Sequence, residues 1–172
     1  MVVPPTFHLS AHNTEWEKCM TKIGHYLVPL AFVFSATGIQ AADSAEKIAA
    51  RAVEYRQGVM NVYAFNVTSM GDMVKGKTEF DAAAFARHAK DLAAAAQLDV
   101  LAGFPEDSIN DDSDASDTIW LDWDKFQERH KALQEQSAKL AEVAAGGDEA
   151  AMKKQFGATG KTCKGCHDDF KD

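Results

Sequence analysis

The sequence predicts an all-α protein, an antiparallel four-helix bundle. From Asp43 onward apolar residues recur every three or four positions almost without a break. The segments so defined are joined by mostly short, glycine-marked connections, and no stretch alternates apolar and polar residues as a half-buried strand would.

The first helix is expected to open at Asp43, where Glu46 three residues on completes a capping box, and to run to about Lys75 before Gly76 stops it. Ile48, Ala52, Tyr55, Val59, Val62, Phe65 and Met73 supply its core-facing stripe. Gly58 and Gly71 lie inside it at about 1 kcal/mol each relative to alanine, a penalty that close approach of a bulky group would explain. The second helix starts near Thr78 or Asp81, turns Phe85, Ala89, Leu92 and Ala96 inward, and ends before Gly103-Phe104-Pro105. Glu106 to Asp117 reads as a solvated connector. Asp112, Asp114 and Ser116 loosely resemble a calcium loop, but Asp117 stands where the loop needs glycine.

Ile119, Trp123, Phe126, His130, Leu133, Ser137, Leu140 and Ala144 alternate steps of four and three, which predicts one continuous third helix ending at Gly146-Gly147. Asp148 caps the fourth, where Met152, Phe156, Thr159, Cys163, Cys166 and Phe170 continue the same alternation.

The chain has 172 residues, of which 46% are hydrophobic, enough for one domain with a real core. Its net charge of −8 argues against a nucleic-acid partner and suits a basic one. Residues 1–41 read as an upstream extension followed by a secretory leader. Lys22 gives the positive start, Tyr26 to Ile39 is an apolar run too short to span a membrane comfortably, and Ile39-Gln40-Ala41 offers a cleavage site. Glu15, Trp16 and Glu17 do not fit a leader, which makes Met20 the expected initiator. The expected product is a periplasmic domain of residues 42–172 with no membrane insertion and without Cys19.

Two cysteines then remain, in Cys163-Lys164-Gly165-Cys166-His167, a run with the spacing of a c-type haem attachment site. On a helix Cys163 and Cys166 stand three apart and His167 one turn beyond Cys163, so two thioether links and one proximal iron ligand can meet a porphyrin from one face. Gly157, Gly160 and Gly165 are expected to thin the helix for the ring. A zinc site would need further ligands, and a redox dithiol would need a strand–helix setting. His88 and His130 read as surface or packed histidines, and Met70 and Met73 as core. Nothing in the sequence assembles a nucleophile with a base, so no enzymatic turnover is expected.

Several short runs add a resemblance: Tyr55-Arg56-Gln57, Val74-Lys75-Gly76, Phe80-Asp81-Ala82-Ala83, Ile119-Trp120, Phe156-Gly157, and Gly160-Lys161-Thr162-Cys163 before the terminal motif. Over residues 44–172 the chain resembles the class II c-type cytochromes, the cytochrome c prime family with its low-spin, methionine-ligated relatives. The resemblance implies one covalent haem c on Cys163 and Cys166, with His167 proximal. It places Met60, four residues after Arg56, on the distal side. As sixth ligand Met60 makes an electron carrier that serves a redox partner protein, and this is the expected function. Uncoordinated, it leaves a five-coordinate iron that binds or sequesters a small gas such as nitric oxide, which is the alternative. The resemblance also sets Arg56 and Gln57 near the propionates and distal pocket, and Lys171 where many members carry arginine beside the proximal histidine. Trp120 and Phe126 are candidate haem contacts, and a homodimer through the first two helices is implied.

Overall fold

The structure, a computed structural model, describes residues 37–172, with side chains from Ser44 onward. The upstream extension, Cys19, Met20 and most of the expected leader lie outside the described residues. Helices α1 (Thr37–Val74), α2 (Ala82–Ala95), α4 (Trp123–Ala145) and α5 (Glu149–Phe170) form the bundle, with a 3-10 turn at Val100–Gly103 and a single turn, α3, at Thr118–Leu121. No strand forms among the described residues. α4 packs on α5 and on α2, α2 packs on α1, and α1 meets α5 only sparsely.

Asp43 lies inside α1 instead of capping it, since the backbone is already helical from Thr37. Ala41 and Ala42 are strong helix formers and let the helix extend upstream. The far end is as expected: Gly76 takes a φ of 69°, which an L side chain resists. Asp81 caps α2 by accepting from the amides of Ala83 and Ala84. Asp148 caps α5 through Ala151 N–H, and Gly147, φ 75°, closes the turn before it.

The buried row of α1 is not the whole predicted stripe. Ala52, Val59 and Met73 are buried beside Val53, Tyr63 and Met70, but Ile48, Tyr55, Val62 and Phe65 are exposed. Both rows are apolar and lie side by side on the helix, so periodicity alone selects neither. On α2 the inward set of Phe85, Ala89, Leu92 and Ala96 is fully buried.

The third predicted helix is broken. Asp122, with φ −133° and ψ 53°, separates α3 from α4. Its seam survives the break, with Ile119, Phe126, Leu133, Ser137, Leu140 and Ala144 all buried.

The connector is not merely solvated. Ser108 and Ser116 are buried. Ser116 N–H donates to Phe170 O, Asp172 N–H donates to Asp114 O, and Ala115 pairs with Lys171 as an isolated antiparallel bridge. The end of α5 is thereby strapped to the segment that follows α2.

Candidate functional site

Between α1 and α5, where the two helices barely touch, lies a cavity of about 430 Å³. Met60 reaches it from α1, Cys166 and His167 from α5, and Phe104, Ile119, Phe126 and Phe170 supply apolar walls. Gln57, Asn61, Asp114 and Lys171, all exposed, line it too and give it a polar rim. The volume is that of a small-molecule or cofactor pocket.

The sequence brings these groups together by period. Met60 lies one turn beyond Arg56, Cys166 lies on the inward seam of α5 that Phe170 ends, and His167, beside Cys166, is exposed at the cavity's edge. Cys163 is half-buried one turn earlier, its thiol 3.8 Å from Thr159 O, next to buried Tyr63 instead of on the cavity lining. Burial pushes the Cys163 thiol up and the Cys166 thiol up to about 11, where the nearby Arg129 charge only partly offsets it. A redox dithiol needs a lowered value, so the microenvironment speaks against that chemistry. Among the described residues no group of three or more His, Cys, Asp or Glu is placed to hold a metal ion. Two thiols three residues apart, the imidazole next to the second, and a cavity with apolar walls fit a covalently tethered haem.

Arg56 is buried and fully engaged. Its Nη1 donates to Gly103 O at 3.0 Å and Ser108 Oγ at 2.8 Å, its Nη2 donates to Ser108 O at 2.8 Å and to Ser113 Oγ, and its guanidinium lies 4.8 Å over the Phe104 ring. All four terminal N–H groups are spent on the connector, which leaves no fork for a bidentate propionate pair in this arrangement. Burial lowers its pKa. Gln57 Nε2 likewise donates to Asp112 O. Lys171 pairs with Asp114 at 2.9 Å.

Phe126 lines the cavity and stacks edge-to-face on Phe104 and Phe170 at 4.8 and 5.2 Å. Trp120 does not line it. Its Nε1 donates to Phe104 O at 3.0 Å from behind that wall. A Cβ on Gly157 or Gly160 would meet open space, and one on Gly165 would meet Arg129 Nη1 at 3.4 Å, so the last glycine makes room for a guanidinium. His88 is a packed residue, bonded to Asn66 Oδ1 at 2.9 Å, and His130 borders a separate groove beside α4. Asp114 and Ser116, two of the three calcium-loop candidates, are engaged with Lys171 and Thr118.

Sequence reasoning missed Phe104 and the tripod on Asp169. Arg129 Nε and Nη2 both reach Asp169 Oδ2 at 2.8 Å, and Lys125 reaches Oδ1 at 3.0 Å, tying α4 to α5 two residues past His167. The signal for Phe104 was Gly103. A Cβ there would stand 2.9 Å from Tyr55 Cδ1 and 3.2 Å from Arg56 Cβ, so only glycine lets the chain pass close enough to seat Phe104 at the cavity.

The chain is similar to known proteins over most of the described residues. Residues 51–171 match the family described as Cytochrome C′. The chain is 40% identical over 126 residues to cytochrome c′ of Halomonas halodenitrificans, covering 70% of this chain and 95% of the relative. Cytochrome c prime from Shewanella frigidimarina superposes with a TM-score of 0.69 at 40% identity, over 72% of this chain and 96% of that one. A nitric oxide complex of a variant cytochrome c prime from Alcaligenes xylosoxidans superposes at 0.65 with 31% identity, over 72% and 96%. With its bundle, its terminal attachment motif and relatives matched over nearly their whole length, the chain belongs to the cytochrome c prime family of class II c-type cytochromes, whose members carry one covalent haem c.

Proposed function

We propose that this chain is a periplasmic monohaem cytochrome that binds a small gas such as nitric oxide, with Cys163 and Cys166 as thioether anchors, His167 as the proximal ligand and Met60 as an uncoordinated distal wall. When bound, haem c supplies an iron that cycles between ferric and ferrous states and takes a diatomic ligand in an open position.

The observation that carries this reading is the composition of the cavity. Met60 lines the cavity with Ile119, Phe104 and Phe126, apolar side chains that bring no further iron ligand to it. A 40% identity to cytochromes c prime and a nitric oxide complex among the solved relatives support the same fate for the iron. The secretory pattern in residues 20–41 supports export. None of the described helices is long and apolar enough to cross a membrane.

The chain's own residues do the positioning. Phe104, Phe126 and Phe170 keep water from the buried side, and the Arg56 network holds the connector that carries Phe104. The exposed row of Ile48, Tyr55, Val62 and Phe65 supports pairing of two copies along α1, with Gly58 facing open space beside it.

Visible absorption of the purified protein tests the reading. A high-spin ferric spectrum and ready carbon monoxide binding by the ferrous form are expected. A low-spin ferric spectrum that resists carbon monoxide would instead make Met60 the sixth ligand and the protein an electron carrier.

A further inference from the structure

Residues 99–124 contain nine carboxylates and no lysine, arginine or histidine. All nine are exposed, and among the described residues only Asp114 is ion-paired, to Lys171. Within this stretch Glu106, Asp107 and Asp117 border a shallow cavity of about 410 Å³ shared with Ile109, Trp120 and Leu121. Leu121 is 82% exposed, more than any other large hydrophobic described, and Ile109 is exposed as well. An apolar centre rimmed by carboxylates of one sign has the make-up of a protein interface.

We propose that this patch is the docking surface for a one-electron redox protein that presents lysines around an apolar centre of its own. Charge selects the occupant. A second copy of this chain would bring the same carboxylates against themselves, and like charges across an interface are strongly disfavoured. Nucleic acids and anionic membrane surfaces are repelled for the same reason.

Position gives the patch its use. Trp120 belongs to it and donates through Nε1 to Phe104 O at 3.0 Å, and the Phe104 ring lines the haem cavity. One indole, one hydrogen bond and one aromatic residue therefore separate a docked partner from the cofactor. The proposal rests on the haem reading and holds for either fate of the iron, because a gas-binding ferrous iron and an electron carrier both need a reductant. With haem bound, one electron would pass from the partner's reduced centre to the ferric iron held here, oxidising the first and reducing the second, with no bond made or broken and no proton moved.

The test titrates the holoprotein with a lysine-ringed monohaem c-type cytochrome as probe, following backbone amide shifts. Shifts are expected around Ile109, Asp117 and Leu121, with Kd rising about tenfold between ionic strengths of about 20 and about 200 mM. The double variant Asp107→Asn, Asp117→Asn and the single variant Leu121→Ser are each expected to weaken binding roughly fivefold. Asparagine suits position 107, where φ is 59°. The control pair Glu135→Gln, Glu142→Gln on α4 removes the same charge and should leave Kd unchanged. Equal weakening by both double variants, or by neither, overturns the patch. Stopped-flow electron exchange that is undiminished in the patch variants overturns it too. A preparation without a Soret band would overturn the haem reading itself, an outcome kept separate because docking is read from amide shifts and not from colour.

Discussion

Arg56 and Ser108 are bonded twice, side chain to side chain and side chain to carbonyl, both at 2.8 Å, across 52 residues of sequence. The pair closes the connector onto α1 and leaves neither partner facing water. Replacing Arg56 with methionine strands the acceptors at Gly103 and Ser108 without donors. A loss of about 2–4 kcal/mol in urea unfolding of the holoprotein is expected. Unchanged stability would show that the connector holds without it.

Gly103→Ala is expected to cost about 1–3 kcal/mol, because the new methyl would overlap the Tyr55 ring and crowd Arg56 in packed surroundings. Gly58→Ala, by contrast, meets open space and replaces a poor helix former, so it should be neutral or stabilising for the folded monomer. Thermal denaturation of the two variants side by side reads the difference.

Met60→Ala widens the cavity that Met60 and His167 both line. With Met60 uncoordinated, the variant keeps the parent's high-spin spectrum and binds carbon monoxide and nitric oxide faster, as flash photolysis would record. A switch from low to high spin on substitution would instead identify Met60 as an iron ligand.

His130 sets an acid-side dependence. Its Nε2 is enclosed without a hydrogen-bond partner, and burial lowers its pKa below the ordinary 6.5, with Asp99 and the Ala96 carbonyl only partly opposing this. Below that value the unfolded chain takes up a proton that the folded chain resists, so stability present above pH 6.5 is lost as pH falls. Denaturation curves across that window should flatten in His130→Phe, and the parent's should not.

Val62→Asp and Phe65→Asp introduce carboxylates into the exposed row of α1. Sedimentation of the holoprotein should shift from dimer to monomer, with the spectrum of the haem unaltered. A parent that already sediments as a monomer would leave that row without a second copy.

Much of this was legible in the sequence because it is local. The attachment motif depends on three residues within five positions, and the seams of α2, α4 and α5 on one period each. Met60 was reachable by counting from Arg56 within the family pattern. The fate of Arg56 itself was not, since it depends on Ser108 and Ser113 folding back from a connector that has no periodicity. On α1 the period was read correctly and the face only in part, because Ile48, Tyr55, Val62 and Phe65 are as apolar as the row that packs. The break at Asp122 left no mark, as aspartate is an indifferent helix former and the seam continues on both sides of it.

The sparse contact between the first and last helices has a consequence for how the protein is made. A prosthetic group seated in the cavity of about 430 Å³ would supply the packing between α1 and α5 that the two helices do not supply to each other. A chain whose cysteines are replaced by serine is therefore expected to be loosest along the α1–α5 seam, and limited proteolysis should cut it there faster than it cuts the holoprotein.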